Sequence, residues 1–168
     1  MNSLEVIHFN ESHWNDVKRI YEEGIATGLA TFETQSPSWE EWDKKNLKFC
    51  RLAAVIDNEI CGWAALSAVS SREVYKGVCE ETIYISQNHR GRGIGIFLLR
   101  ALIKESEEKG VWTLQAGIFT DNEMSIQLHM KNDFRIVGIR EKVGQLNGVW
   151  KDTVLMERRS KVVNFIPG

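Results

Sequence analysis

Three glycines stand at alternate positions, Gly91, Gly93 and Gly95, after an apolar segment and before a segment with helical periodicity. Glycine adopts positive φ angles at little cost and lets the backbone approach a ligand closely. The first N–H groups of a helix have no acceptor within the helix, so a glycine-rich turn at a helix start can bind phosphate oxygens. The sequence therefore predicts a diphosphate site here, and a tightly packed helix start without a ligand is the alternative.

The spacing of these glycines argues against two common nucleotide sites. A P-loop has Lys followed by Ser or Thr after its last glycine, and no such pair follows Gly95. A dinucleotide fingerprint has the spacing G-x-G-x-x-G, whereas this chain has G-x-G-x-G. ATP and NAD are therefore disfavoured as ligands.

The elements that position this loop are predicted from periodicity and caps. Alternating apolar residues predict a first strand, and Ser12 is the predicted cap of a helix that ends in the Gly24 to Gly28 segment. Ser38 and Glu41 form a capping-box pattern, which predicts a short second helix through Leu47. The later predicted elements are a hairpin (52–56 and 60–66), a loop (67–78), a strand (79–85), the glycine loop with a helix that Gly110 closes, a strand (112–119), a helix that begins near Asp121 and Asn122, and a closing antiparallel pair (134–139 and 149–158).

This order of elements predicts an α/β or α+β fold with a mixed central sheet flanked by helices. The chain has 168 residues, 43% hydrophobic and 26% charged, which is the ordinary usage of one globular domain over residues 1–168. Lys and Arg number 21 against 23 Asp and Glu, so the chain lacks the basic excess typical of nucleic-acid-binding proteins. Nucleic acid is therefore not an expected partner.

Cysteine usage and the absence of long apolar runs indicate the compartment. Cys50, Cys61 and Cys79 are an odd number without C-x-x-C spacing, which favours a reducing environment. No leader pattern occurs in the segment from Met1 to Phe9, and the chain has no run of about 18 apolar residues. We therefore expect a cytoplasmic protein without a membrane span.

Several motifs together resemble one protein superfamily. Arg90-x-x-Gly93-x-Gly95 follows an apolar strand, and Asn122-x-x-Ser125-x-x-Leu128-His129 and Lys131-x-x-Phe134 follow further along the chain. This arrangement resembles the GNAT superfamily of acyl-CoA-dependent N-acetyltransferases. More narrowly, the phosphinothricin acetyltransferase branch, which includes enzymes that acetylate methionine sulfone and methionine sulfoximine, is similar in four segments: Tyr21 to Glu33, Glu80-x-Thr82-Ile83-Tyr84-Ile85, Leu128-His129 and Gly148-x-Trp150-x-Asp152.

The resemblance implies direct attack of an amine on acetyl-CoA, without a metal or a cysteine nucleophile. The amine must be neutral, and a free α-amino group has a pKa of about 7.7 to 8.0, so a nearby base is useful. The resemblance makes Glu80 this base, directly or through water, while Glu81 is expected on the other face of the strand. The departing thiol should have a pKa of about 8.5, and His129 is the implied proton donor to it.

The resemblance also implies how acetyl-CoA is held. The backbone of Ile83, Tyr84 and Ile85 would pair with the pantetheine arm. Independently of the resemblance, the simplest donor to the thioester oxygen is a strand N–H released where the strand splays or bulges, and Ile85 is the expected one. The remaining implied contacts are the pyrophosphate loop, Gly91, Arg92, Gly93, Ile94, Gly95 and Ile96, and three later residues, Asn122, Ser125 and Lys131. Arg90 and Arg92 would add phosphate contacts, with a solvated basic pair as the alternative.

The implied acceptor is a small amino acid with a carboxylate and a second polar or anionic group. The residues implied to contact it are Phe32, Glu33, Arg72, Glu73, Val74 and Tyr75. The branch commonly reads Y-x-H-T-x-E-x-S before the catalytic strand, and this chain has Gly77 and Val78 in place of the His-Thr pair. Because of this departure, the substrate of this chain can differ from the amino acids that the branch acetylates.

The predicted function is acetyl-CoA-dependent acetylation of the α-amino group of a small amino acid or analogue, such as phosphinothricin, methionine sulfone or methionine sulfoximine, with a role in detoxification. The alternatives are acetylation of a protein N-terminus or a polyamine, and a non-catalytic acyl-CoA-binding module. The resemblance also implies a homodimer, with Trp150 at the subunit contact.

Overall fold

The computed structural model describes residues 3–165 of the chain. Its seven strands are β1 (Leu4–His8), β2 (Leu52–Ile56), β3 (Glu59–Ala68), β4 (Val78–Ile85), β5 (Thr113–Phe119), β6 (Arg135–Leu146) and β7 (Val149–Arg159). Its four α-helices are α1 (Trp14–Ala26), α2 (Trp39–Lys45), α3 (Ile94–Glu108) and α4 (Glu123–Met130). The order of elements is the predicted one.

The strands form one mixed sheet in the order β1-β2-β3-β4-β5-β7-β6. Neighbouring strands are antiparallel except β4 and β5, which are parallel. The crossover between these two strands contains α3, as a parallel connection requires. The predicted mixed sheet flanked by helices is confirmed.

Two hydrophobic clusters lie on the two faces of the sheet. One contains the buried side of α3, with Leu98, Leu99 and Leu102, and the partly buried Ile83 and Ile85 of β4 pack against it. The other is rich in aromatic residues from α1 and α2 and includes Tyr84. Because strand side chains alternate, successive residues of β4 face different clusters.

Three predicted boundaries are wrong for local reasons. Asn10, not Ser12, is the first cap: its Oδ1 accepts from the Ser12 N–H at 2.9 Å, and a 3-10 turn (Glu11–His13) precedes α1. The Ser38 capping box of α2 is confirmed, but the helix ends at Lys45 because Asn46 is extended. Strand β6 continues to Leu146 rather than ending at residue 139, through an irregular stretch in which Lys142 has a φ of 44°.

Candidate active site

The central feature of the site is the gap that opens between β4 and β5. These strands pair only from Val78 to Glu80 of β4. Successive backbone groups of β4 point alternately to its two neighbouring strands. The carbonyl of Gly77 points to the β5 side, where it accepts from Trp112 N, and the carbonyl of Val78 points to the β3 side, where it accepts from Val69 N. By this alternation the backbone groups of Ile83 and Ile85 face the gap, where they have no strand partner among the described residues.

The glycine loop borders the same gap and begins α3. Gly91 and Gly93 have φ angles of 74° and 78°, in the left-handed region that favours glycine, and Gly93 is the N-cap of the helix. Within residues 3–165, the backbone N–H groups from Gly91 to Ile96 donate to no protein acceptor. These free donors at a helix start have the geometry and dipole that suit phosphate oxygens.

Gly95 has a different role from the two glycines before it. A Cβ at this position would lie 3.3 Å from Leu128 Cδ2. The glycine therefore allows the first turn of α3 to lie close to α4, which carries His129. Arg90 and Arg92 are exposed beside this turn, and Arg90 Nε donates to the carbonyl of Ile85 at 3.3 Å.

A cavity of about 310 Å³ lies beside the splayed part of β4. Eight residues with predicted site roles line it: Phe32, Glu33, Glu80, Ile83, Tyr84, Asn122, Ser125 and His129. Its lining also includes residues that the sequence analysis did not assign to the site, among them Tyr21, Lys45, Glu81 and Phe119. The cavity therefore brings together the two predicted catalytic residues, which are distant in sequence.

Glu80 is exposed at the end of the paired part of β4. Its Oε2 accepts a hydrogen bond from Gln115 Nε2 of β5 at 3.1 Å. The side chain lines the cavity and is accessible to solvent, as a base that takes a proton from an amine requires. Its catalytic role remains a prediction.

His129 is buried in α4 and both of its ring nitrogens have partners. Its side chain is 1% exposed, its Nδ1 lies 2.6 Å from the carbonyl oxygen of Ser125, and its Nε2 lies 2.6 Å from Glu81 Oε1. Burial alone lowers the pKa of His129, but the charge and hydrogen bond of Glu81 and the Ser125 carbonyl outweigh burial and raise it above the ordinary value. His129 is thus held toward its charged form.

Glu81 is buried, in contrast to its neighbour Glu80. Its side chain is 3% exposed and extends toward α4, while Glu80 lies on the opposite face of the strand, as the alternation predicted. Glu81 has no role predicted from the sequence beyond its place on the other face of the strand. The signal is a second acidic residue next to Glu80, on the face of the strand that carries the apolar Cys79, Ile83 and Ile85, but only the packing of α4 against that strand identifies its partner.

Asn122 holds the start of α4 and joins it to the loop after α1. Its Oδ1 accepts from Ser125 N at 3.2 Å, and its Nδ2 donates to the carbonyl of Leu29 at 3.1 Å. Lys131 lines a second, smaller cavity of about 230 Å³ with Arg100, Lys104 and Arg158 rather than the main one.

The predicted acceptor segment, Arg72 with Glu73, Val74 and Tyr75, lies outside the main cavity. Glu73–Tyr75 form an exposed 3-10 turn before β4. Glu73 pairs with Lys76, and the guanidinium of Arg72 lies 5.4 Å from the centre of the Tyr75 ring. Phe32 and Glu33, from the other predicted wall, do line the cavity.

The buried cysteines have no nucleophilic character. Burial, aided by the nearby Glu105 carboxylate, raises the pKa of Cys50 to about 12, and burial raises that of Cys79 to about 11. Both are therefore thiols at neutral pH, and the thiolate is the reactive form.

Across residues 3–165 no group of three or more His, Cys, Asp or Glu is placed to hold a metal ion. In the same range no helix is long and apolar enough to cross a membrane.

Comparison with known families agrees with this geometry. Residues 12–134 match the sequence model described as the acetyltransferase (GNAT) family. The chain belongs to the GNAT family. The predicted superfamily and its fold are therefore confirmed.

Named relatives of this GNAT chain fall in the predicted branch. It is 32% identical over 149 residues to a phosphinothricin N-acetyltransferase of Alcaligenes faecalis, a match that covers 84% of this chain and 75% of that protein. It is 34% identical over 99 residues to an L-methionine sulfoximine/L-methionine sulfone acetyltransferase of Pseudomonas paraeruginosa. The latter match covers 59% of this chain and spans only 58% of the relative's length.

A solved structure has the same fold over nearly the whole chain. It is a GNAT superfamily phosphinothricin acetyltransferase from Sinorhizobium meliloti in complex with AcCoA. The TM-score is 0.85 at 27% sequence identity, and the match covers 98% of this chain and 93% of that one. The predicted resemblance to the phosphinothricin acetyltransferase branch is confirmed at the level of family and fold.

Proposed function

We propose that this GNAT protein transfers the acetyl group of acetyl-CoA to the α-amino group of a small amino acid or amino-acid analogue. The main support for the proposal is the cavity beside the β4–β5 gap. In this cavity the exposed carboxylate of Glu80 lies next to the stretch of β4 whose backbone N–H groups have no strand partner among the described residues. Glu80 lines this cavity, and the unpaired N–H groups of Ile83 and Ile85 face the gap. The names of the phosphinothricin and methionine sulfoximine acetyltransferase relatives support the same class of acceptor.

Acetyl-CoA fits the N–H donors for which residues 3–165 provide no acceptor. The N–H groups from Gly91 to Ile96 would hold the pyrophosphate, and the exposed Arg90 and Arg92 would add positive charge. The backbone of β4 would pair with the pantetheine amides, and the Ile85 N–H would donate to the thioester oxygen. When bound, acetyl-CoA supplies an activated acetyl thioester. Ser125 and Asn122 at α4 and Lys131 beyond it complete the proposed contacts.

The two proton transfers of the reaction fall to two different side chains. Glu80, exposed to the cavity, takes the proton that the amine must lose, directly or through a water molecule. His129, which is held toward its imidazolium form, is the source of the proton that the departing thiolate takes. A direct transfer of this kind needs no cysteine, in keeping with the protonated state of Cys50 and Cys79.

The charged side chains that line the cavity suit a ligand with both an ammonium and a carboxylate group better than a ligand with negative groups alone. Glu33 and Glu80 provide negative charge that attracts the ammonium group, and Lys45 Nζ, 3.8 Å from Glu33 Oε1, is a partner for a carboxylate. Phe32 and Phe119, with ring centres 4.7 Å apart, form an apolar wall for a side chain. Arg72 and the 3-10 turn after it remain a predicted acceptor contact that lies outside this cavity.

A homodimer and a cytoplasmic location complete the proposal. The β6–β7 hairpin exposes several large apolar side chains, of which Trp150 is 54% exposed; the others are Ile136, Val137, Ile139, Val143 and Val149. Exposed apolar side chains in this number at one hairpin favour a protein–protein contact there. The three cysteines are free and buried, which favours a reducing compartment.

The deciding experiment measures thiol release from acetyl-CoA in the presence of a panel of amines. The panel contains methionine sulfone, methionine sulfoximine, phosphinothricin, the standard amino acids, a polyamine and a short peptide. Saturable turnover with an amino acid or analogue supports the proposal. Turnover with the polyamine or the peptide alone would replace the acceptor class, and binding of acetyl-CoA without turnover on any amine would make the protein an acyl-CoA-binding module.

A further inference from the structure

Glu81 and His129 form a buried pair whose protonation is fixed by its surroundings. The carbonyl oxygen of Ser125 only accepts hydrogen bonds, so Nδ1 of His129, 2.6 Å away, must carry a proton. One further proton lies between Nε2 and Glu81 Oε1, which are also 2.6 Å apart. With that proton on the nitrogen the pair is an imidazolium and a carboxylate; with it on the oxygen both groups are neutral.

The two carboxylate oxygens of Glu81 differ in their hydrogen bonding. Oε2 is buried and receives no hydrogen bond from any of residues 3–165. Leaving a buried carboxylate oxygen unpaired costs free energy, so such an atom calls for an explanation. Glu81 lines the main cavity, where a bound group can supply the missing partner.

The face of the strand on which Glu81 lies identifies that group. Glu81 alternates with Glu80 and shares its face with Ile83 and Ile85, which pack toward α3 and the helix start with the free N–H donors. Glu80 shares its face with Tyr84, which packs against α1. A thioester held by the start of α3 therefore approaches Glu81 from its own face, and an amine that enters beside α1 approaches Glu80.

From this juxtaposition we propose that Glu81 is a further catalytic residue, which carries a proton from His129 to the sulfur of the departing thiolate. The proposal rests on the acetyl transfer proposed above. The Nε2–H bond of His129 breaks as the Glu81 carboxyl takes the proton, and rotation of that carboxyl presents the proton to the sulfur, where an S–H bond forms. The pair is left with a neutral imidazole and a carboxylate, and a proton from solvent restores it.

His129 does not reach the cavity with a free nitrogen, which is why a carrier is needed. Both of its nitrogens are occupied and its side chain is 1% exposed. Glu81 and His129 share the lining of the cavity with five other ionisable side chains. These are Glu80 and Tyr84 from β4, Tyr21 from α1, Glu33 from the loop after α1 and Lys45 from α2. By formal charge, the two glutamates and the lysine add two negative charges and one positive charge, and the pair itself is neutral overall.

The first test follows the ring of His129 by NMR in the protein without acetyl-CoA. Glu81→Gln keeps the size of the side chain and removes its charge. The pKa of His129 should fall below its wild-type value in this variant, because the charge of Glu81 is what outweighs burial. The matched control is Glu105→Gln, since Glu105 accepts from another histidine, His8, at 2.8 Å and lines neither cavity. An unchanged His129 titration in Glu81→Gln would overturn the pairing.

The second test measures kcat against pH with the best acceptor of the panel. Glu81→Gln should lower kcat by about 10²-fold with little change in the KM for acetyl-CoA, and Glu105→Gln should retain wild-type rates. Glu81→Asp should recover part of the rate, and formate should restore turnover to Glu81→Ala, because a small carboxylate fits where the side chain was removed. A role in packing alone would not respond to formate.

The outcomes separate this inference from the proposed function. If the wild-type protein acetylates no amine in the panel, the proposed function fails and the proton transfer fails with it. If the wild type is active and Glu81→Gln keeps its kcat across the pH range, only the role of Glu81 is refuted. Loss of activity in Glu81→Gln without rescue by aspartate or formate also refutes it, since it identifies a structural role.

Discussion

The contact between Gly24 and Tyr84 provides a quantitative test of the packing beside the cavity. Gly24 lies in α1, where a Cβ would be 2.4 Å from both Cδ1 and Cε1 of the Tyr84 ring. That ring cannot easily move, because it is 8% exposed and its centre is 5.0 Å from both Tyr21 and Trp63. Gly24→Ala should therefore force a shift of a tightly packed aromatic side chain.

Two opposing effects determine the size of the change. Alanine is more favourable than glycine in a helix by up to about 1 kcal/mol. Overpacking of a well-packed core costs about 1–3 kcal/mol. The expected balance for Gly24→Ala is a loss of about 1–2 kcal/mol in the free energy of unfolding, which in a domain of this size lowers Tm by about 2–8 °C.

Urea unfolding followed by tryptophan fluorescence measures this free energy, and two further variants isolate its cause. Gly138→Ala is the control in β6, where a Cβ would have no neighbour within 4 Å, and it should be close to neutral. In a Tyr84→Leu background the aromatic ring is absent, so Gly24→Ala should become stabilising by up to about 1 kcal/mol. Equal effects of Gly24→Ala in both backgrounds would refute the packing argument.

Three other predictions concern the site and the assembly. Glu80→Gln should lower kcat by about 10²-fold near neutral pH and leave acetyl-CoA binding nearly intact, and a full rate across pH would exclude Glu80 as the base. The raised pKa of His129 contributes stability that is complete below about pH 6.5, its unfolded value, and is lost as pH rises through its folded pKa. Urea unfolding at a series of pH values should reveal this loss in the wild type, and its absence would contradict the shift. Trp150→Glu should reduce a dimeric mass to that of one chain in light scattering, whereas a monomeric wild type would contradict the proposed homodimer.

The sequence alone predicts the features that depend on neighbouring residues. The glycine loop is one of them, because its strand, turn and helix are consecutive, and Gly91 and Gly93 indeed adopt positive φ angles. The capping box at Ser38 is another, since both of its hydrogen bonds join residues three positions apart. At Ser12 the same local reasoning fails because Asn10, two residues earlier, takes the capping role: its Oδ1 accepts from both the N–H and the hydroxyl of Ser12.

The pairing inside the site depends on residues that are distant in sequence. Glu81 and His129 are 48 positions apart, and their contact requires α4 to pack against the splayed end of β4. Strand alternation predicts that Glu81 and Glu80 face opposite sides, but it does not identify which side contains a histidine. For the same reason Lys45 was not assigned to the site, because its place there depends on how α2 lies relative to the loop after α1.

The alternation of β4 also explains how one short segment can serve both proton transfers. Acetyl transfer removes one proton from the amine and adds one to the thiolate, so the protein needs a base and an acid that do not neutralise each other. In the proposed mechanism two adjacent strand residues meet this need, because Glu80 is exposed on the face toward α1 while Glu81 is buried on the face toward α3 and bonded to His129. The environments differ although the side chains are chemically identical: Glu80 is exposed to solvent, where the proposed base would meet the amine, and Glu81 is bonded to His129, from which it would take the proton that it gives. In the proposed mechanism one reacting centre in the gap between β4 and β5 would lie between these two faces, since the strand at that point has no neighbour on the β5 side among the described residues.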